Sequence, residues 1–350
     1  MTAFPRDAWL RSFKRALASA PANRLSYLDG RGVPELRSEL ASYLNRVRGT
    51  SAAADDVVIT IGFSQGLTLI AQALRESGQK RIAVERPSLL DSRAILELEG
   101  MTRVEIPVDE DGLRVDLLER ARVGGVVVTP AHQYPTGAVL SPERRLALLA
   151  WADRHDALVV EDDYDAEYRY DRQPVAALQG LRPSRVVYAG SASKVLAPGL
   201  RLGWLVAPGD LATRLAANKR ARDGGSPALD QLAFADFIAQ GELDRHLRKM
   251  RPIYRRRRDA LMEALARYLP DLAPVGAAAG LHILTWLPPG VDPAPIVAAA
   301  SEAGIGIGSL PLAEGGDRGA LVFGYGASDE RRIEAGVRRL ARVIATQRTP

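Results

Sequence analysis

Three short stretches of the chain hold residue types that could do chemistry together. In Tyr188-Ala-Gly190-Ser191-Ala-Ser193-Lys194 a lysine sits in a turn of small residues with hydroxyls beside it, and Arg201 follows closely. A lysine amine so placed can form a Schiff base with a carbonyl, and the hydroxyls and guanidinium suit a nearby phosphate. Glu161-Asp162-Asp163-Tyr164-Asp165 crowds four carboxylates together, and such charges repel one another unless something compensates them. A solvated acidic turn, a metal ion and a protonated heterocyclic nitrogen each answer that repulsion; no histidine or further acid cluster is spaced to favour the metal. Gly62-Phe63-Ser64-Gln65 offers backbone N–H groups and a hydroxyl at a helix start, where the helix dipole favours an anion. Each stretch alone has an ordinary explanation, as a strand-to-helix turn, a solvated turn or an exposed loop lysine. Their order along the chain, each at the end of an expected strand, joins them.

The elements that must position these groups follow from hydrophobic patterning. Short apolar runs at 57–60, 81–84, 104–106, 125–129, 157–160, 185–188 and 202–206 alternate with helical periods such as Gln65–Arg75 and Pro142–Arg154. That alternation predicts an α/β domain with a mostly parallel sheet, whose ligands bind beyond the carboxyl ends of the strands. Two amphipathic helices precede it, the second opening at Pro34, a residue suited to a first helical turn. After Pro227 one long helical pattern runs toward Leu265, and strands near 281–286 and 320–325 with a closing helix from Asp329 predict a smaller α+β unit.

Composition removes several classes of function. The 350 residues contain no cysteine, which excludes disulfides, thiolate metal sites and cysteine nucleophiles. No stretch approaches the roughly 20 apolar residues that cross a bilayer, and the N-terminus lacks the pattern of a secretion signal. The expected location is the cytoplasm. A net charge of +5 permits a nucleic-acid partner, but basic residues are spread among 42 acids. The densest run, Arg251-Pro-Ile-Tyr-Arg255-Arg256-Arg257-Arg258, falls on a helical pattern and is expected to be a solvated face.

The motifs, in this order, resemble class I/II aminotransferases of fold type I. Closer still is the aminotransferase-like domain of MocR-type regulators. The likeness rests on Val128-Thr-Pro-Ala-His-Gln-Tyr-Pro-Thr-Gly137, Glu161-Asp-Asp-Tyr-Asp-Ala-Glu-Tyr-Arg-Tyr170, Ser191-Ala-Ser-Lys-Val-Leu-Ala-Pro-Gly-Leu-Arg-Leu-Gly203 and Arg245-His-Leu-Arg-Lys-Met-Arg251, and covers essentially the whole chain. It implies the aspartate aminotransferase-like fold, with N-terminal helices (1–45) joining a small domain (246–350) beside a large cofactor-binding domain (46–245). It implies pyridoxal 5′-phosphate as cofactor, an amino acid or amine as substrate, and a homodimer with shared sites. Lys194 matches the lysine that binds the cofactor aldehyde and moves the proton, Asp162 the aspartate paired with the pyridinium nitrogen, and Tyr164 the phenol directed at the ring oxygen. Ser64, Gln65, Ser191 and Arg201 match the phosphate cup, and Tyr27 matches a tyrosine that reaches the neighbouring subunit's phosphate.

The chain also departs from that pattern. Leu89 stands where an aromatic often covers the cofactor ring, and Tyr134 stands where aminotransferases have asparagine, leaving His132 or Gln133 to supply that hydrogen bond. Val322 stands where an arginine would clamp the substrate carboxylate, a role valine cannot fill, so Arg93 or Arg222 is the expected substitute unless the ligand is not an ordinary α-amino acid. The winged-helix DNA-binding domain that precedes this domain in MocR-type regulators is not in the sequence, so no nucleic-acid partner is expected for this chain alone. The resemblance therefore implies either an aminotransferase-type enzyme or an effector-sensing domain that binds its ligand without turnover.

Overall fold

The computed structural model describes residues 4–88, 90–170 and 175–347. Helices α1 (Arg6–Ser19) and α2 (Pro34–Arg48) open the chain. The first sheet then builds through β1 (Val57–Thr60), α3 (Phe63–Glu76), β2 (Arg81–Arg86), α4 (Leu90–Leu98), β3 (Thr102–Asp109) and β4 (Gly112–Leu113). It continues through β5 (Gly125–Val128), α5 (Pro142–Arg154), β6 (Leu158–Asp162), α6 (Leu178–Leu181), β7 (Val186–Ser191), α7 (Ala192–Val195) and β8 (Gly203–Val206). Helices α8 (Gly209–Asp223), α9 (Ala228–Ala239) and α10 (Glu242–Tyr268) lead to a second sheet. That part comprises β9 (Pro274–Val275), β10 (His282–Trp286), α11 (Ala294–Glu302), β11 (Gly308–Leu310), α12 (Leu312–Gly315), β12 (Ala320–Gly324) and α13 (Glu330–Gln347).

The large sheet has the order β1-β8-β7-β6-β5-β2-β3-β4, and its central strands β7, β6, β5, β2 and β3 run parallel. Strands buried on both faces need near-continuous apolar sequence, and Val126, Val128, Val159, Val160, Val186 and Val187 supply it. Between β2 and β5 the direction of winding reverses, the kind of switch point where the connections beyond the carboxyl ends of adjacent strands part and leave a crevice. Strand β8 pairs antiparallel with both β7 and β1, which sets Gly203 beside Thr60 and Ser191. The second sheet, β11-β12-β10-β9, is wholly antiparallel. One continuous apolar core joins the parts, running from Leu36 and Leu40 through Ile59, Trp204 and Phe234 to Leu247, Ile283 and Phe323.

Local chemistry explains several boundaries. Ser141 caps α5 and Pro142 occupies its first turn. Helix α2 stops at Gly49, whose left-handed conformation (φ 65°) ends it cheaply. The long helical pattern after Pro227 is in fact two helices, because Gly241 takes φ 68° and turns the chain between α9 and α10. The arginine run on α10 is only partly solvated: Arg255 and Arg256 are exposed, whereas Arg257 is buried and donates to the Gly326 carbonyl at 2.7 Å. Among the described residues no helix is long and apolar enough to cross a membrane.

Candidate active site

Strands β6 and β7 end side by side, with Asp162 paired in register to Ala189, so the acidic stretch and the Ser191–Lys194 turn share one rim. Ser64, Asp162, Tyr164, Ser191, Lys194 and Arg201 line a single cleft of about 480 Å³. Its opposite contributions come from the small sheet, through Leu281, His282, Gly308, Val322 and Gly324.

The anion cradle is built by close approach of backbone. Gly62 takes φ +99°, and a Cβ there would lie 2.8 Å from Arg201 Nη2. Gly203 is equally confined, since its Cβ would meet the Gly62 Cα at 2.8 Å. The absence of side chains at both positions lets Arg201 lie over the start of α3, where it donates to the Ile61 carbonyl at 2.6 Å. Arg201 itself is held at φ 51°, an uncommon conformation for a residue with a side chain. The Arg201 guanidinium, Ser64 and Ser191 therefore line one cleft at the α3 N-terminus, residue types that suit an anion. Gln65 is turned away: its Oε1 accepts from the Ile61 N–H at 3.0 Å and its Nε2 donates to Asp223 at 2.8 Å. Its side chain braces the loop and does not line the cleft.

The acidic stretch resolves into four different situations. Glu161 accepts the Leu178 and Gln179 N–H groups at 2.9 and 3.1 Å, and burial beside Asp163 pushes its pKa up to about 7. Asp163 is buried with Arg48, which donates to it at 2.6 Å, and with the Tyr188 hydroxyl at 2.8 Å. Asp165 lies 3.0 Å from His132 Nδ1. Asp162 is different. It is buried and lines the cleft, yet no side-chain hydrogen bond or ion pair engages its carboxylate among the described residues. Burial, then Asp163, Asp165 and Glu85, drive its pKa well above the carboxylate range, and Lys194 offsets this only in part. A cationic partner arriving in the cleft would restore its ionised form.

Beneath the cleft His132 links Asp165 to Tyr164. Its Nδ1 donates toward Asp165, and its Nε2 faces the Gly276 carbonyl at 3.3 Å. Burial opposes charge on this ring, but Asp165 and the Gly276 carbonyl outweigh it and raise its pKa above the ordinary histidine value. The Tyr164 hydroxyl donates to the His132 carbonyl at 3.1 Å. Burial, with Asp165 and Asp162 nearby, keeps that phenol protonated. His282 packs 5.1 Å from the His132 ring, and burial followed by the His132 charge lowers its pKa to about 4. His132, Asp165 and His282 present ligand-type atoms within 4.8 Å of one another, a cluster that their separation in sequence conceals. Both His132 nitrogens and His282 Nε2 are engaged with Asp165, Gly276 and Pro135 oxygens in this arrangement.

Other expected residues fall elsewhere. Gln133 holds its own turn, with Nε2 donating to the Pro87 carbonyl and Oε1 accepting from Thr136. Tyr27 is 88% exposed and stands in a separate surface hollow with Asp223 and Gly225. Arg93 is engaged with Glu105, and Arg222 is an exposed helix residue near Glu99; neither lines the cleft. Leu89 lies outside the described residues.

Residues 2–302 match the family described as aminotransferase class I and II. The chain belongs to that family. It is an aminotransferase-like enzyme with the fold type I architecture, and its relatives divide into two kinds. The aromatic-amino-acid aminotransferase 1 of Thermococcus litoralis is 30% identical over 97% of this chain and 85% of its own length. The HTH-type transcriptional regulator YhdI of Bacillus subtilis is 33% identical over 97% of this chain and 73% of its own length. Among solved structures, the kynurenine aminotransferase of Pyrococcus horikoshii, in complex with PMP, superposes with a TM-score of 0.89 at 27% identity. That match covers 100% of this chain and 89% of the other.

Proposed function

We propose that this chain uses pyridoxal 5′-phosphate, held at Lys194, to transfer the amino group of an amino acid or amine. The observation that carries the proposal is the buried, unengaged carboxylate of Asp162 in the same cleft as Lys194, while its three acidic neighbours have protein partners. When bound, the cofactor supplies an aldehyde that takes up the substrate amine and a protonated ring that accepts the electron pair released at carbon. Asp162 would keep the proton on the ring nitrogen, and the protonated Tyr164 would donate to the ring oxygen. Arg201, Ser64 and Ser191 would hold the phosphate. Lys194 would hold the aldehyde until the substrate amine displaces it, then carry the proton from the amine-bearing carbon. Exposed Tyr27 is proposed to reach the cleft of a second copy in a homodimer.

The test is an absorbance titration of the cofactor-loaded protein with amino acids and amines. Transamination bleaches the aldehyde-lysine band, and a carbonyl acceptor restores it over many cycles. The likeness to an HTH-type regulator supports a second reading, a domain that binds its effector stoichiometrically. A band that shifts, saturates and never cycles would favour that reading over turnover.

A further inference from the structure

The groups facing the cleft are not evenly charged. Those from the large sheet include Asp162, Asp165, Lys194 and Arg201. Those from the small sheet are Leu281, His282, Gly308, Val322 and Gly324, where Gly308 pairs in register with Val322 and His282 with Gly324. His282 is neutral at ordinary pH, because burial and the neighbouring His132 oppose its charge. Ile95 and Phe63 extend this uncharged lining on the α3–α4 side. Among the described residues both cations at the cleft have tasks already: Arg201 lies over the α3 start, bonded to the Ile61 carbonyl, and Lys194 is the proposed reacting amine.

We propose that the preferred amino donor is a primary amine with an apolar body and no carboxylate on its amine-bearing carbon. This rests on the function proposed above and specifies its substrate class. An apolar body buries its surface against Val322, Leu281 and Ile95. A carboxylate brought to the same wall loses its water and meets no charge partner among the described residues, which is costly for an ionised group. The donor R–CH2–NH2 gives its amino group and two electrons to the aldehyde carbon of the cofactor and departs as R–CHO. The amine displaces the Lys194 amine, one water is taken up to free R–CHO, and the acceptor half-reaction returns that water, so no outside oxidant enters. The same wall receives the amino acceptor, which favours an aldehyde or ketone without an adjacent carboxylate.

The experiment compares matched pairs on the cofactor-loaded protein, phenethylamine against phenylalanine and isobutylamine against valine, reading half-saturation from the absorbance change. Each amine should saturate at a concentration at least about tenfold below its amino acid, the discrimination expected when one charged group is left unpaired. Equal or better response to the amino acids overturns the substrate assignment and leaves the proposed function standing. Absence of any response to all four compounds overturns the substrate assignment as well, whereas absence of the aldehyde-lysine band itself removes the proposed function. Val322→Arg supplies the missing charge and should move the preference at least about tenfold toward the amino acids. A folded Val322→Arg protein with unchanged preference would show that this wall does not choose the substrate.

Discussion

At the ends of β6 and β7, Glu161, Asp162, Asp163, Asp165 and Lys194 crowd onto one rim, and among the described residues all but Asp162 and Lys194 are engaged through their side chains by residues from other parts of the chain. On β10 and β12, reaching the same cleft from the other side, Val322 and His282 are uncharged and Gly324 has no side chain. The parallel strands are fixed by neighbours on both edges and buried on both faces, so they can hold charges at set distances with little reorganisation. The small antiparallel sheet offers instead a surface whose shape and polarity can change at single positions. On the proposed function the contrast assigns reaction and selection to different sheets, and it can be broken from either side.

The largest effect is expected at Lys194. Lys194→Ala should abolish the bound chromophore and lower turnover by about a thousandfold or more; a persisting colour with a reducible adduct would put the reacting amine elsewhere. Next come two adjacent carboxylates with opposite duties. Asp162→Asn should reduce turnover by about a hundredfold with little change in melting temperature. Asp163→Asn leaves Arg48 underpaired in the core and should cost about 3 kcal/mol of stability, measured by denaturant melts. If both variants lose only stability, the division of labour along this strand is wrong.

A smaller effect concerns pH. Burial raises Glu85 and Glu161 to about 7 from an ordinary value near 4.5. Their folded form binds protons more tightly than the unfolded chain, so their contribution is full below pH 4.5 and is lost as pH rises through 7. His282, lowered to about 4 from 6.5, acts in the opposite sense and destabilises the fold as pH falls through that interval. Melting of the cofactor-free protein should therefore weaken by about 2 kcal/mol as pH rises from about 5 to about 7, the loss at the two glutamates exceeding the gain at His282, and Glu85→Gln should flatten part of that fall. Last, Gly62→Ala places a methyl against Arg201 and should weaken cofactor binding about tenfold by equilibrium dialysis. Unchanged affinity would mean that the cradle over α3 does not hold the phosphate.

Much of this arrangement is legible before any coordinates. Strand β1 and helix α5 fall on the residues that periodicity marks, and the three chemical stretches lie at strand ends as expected. The misjudged features share a cause. Gly241 interrupts a helical pattern that is hydrophobic on both sides of it, so periodicity alone runs through the break. Arg257 reads as a surface charge until the Gly326 carbonyl is brought to it from 69 residues away. Gln65 reads as a ligand for an anion until Asp223 takes its amide.

What the sequence by itself determined is the set of reactive groups and their order, because short-range pattern dictates strands, turns and helix starts. Which carboxylate remains available was decided only in three dimensions. Arg48 lies 115 residues from Asp163, and His132 lies 33 from Asp165. The Leu178 and Gln179 N–H groups that hold Glu161 belong to helix α6, outside the strand that carries it. A charge is available for chemistry when nothing else satisfies it. That is a property of everything packed around it, and local spacing does not encode it.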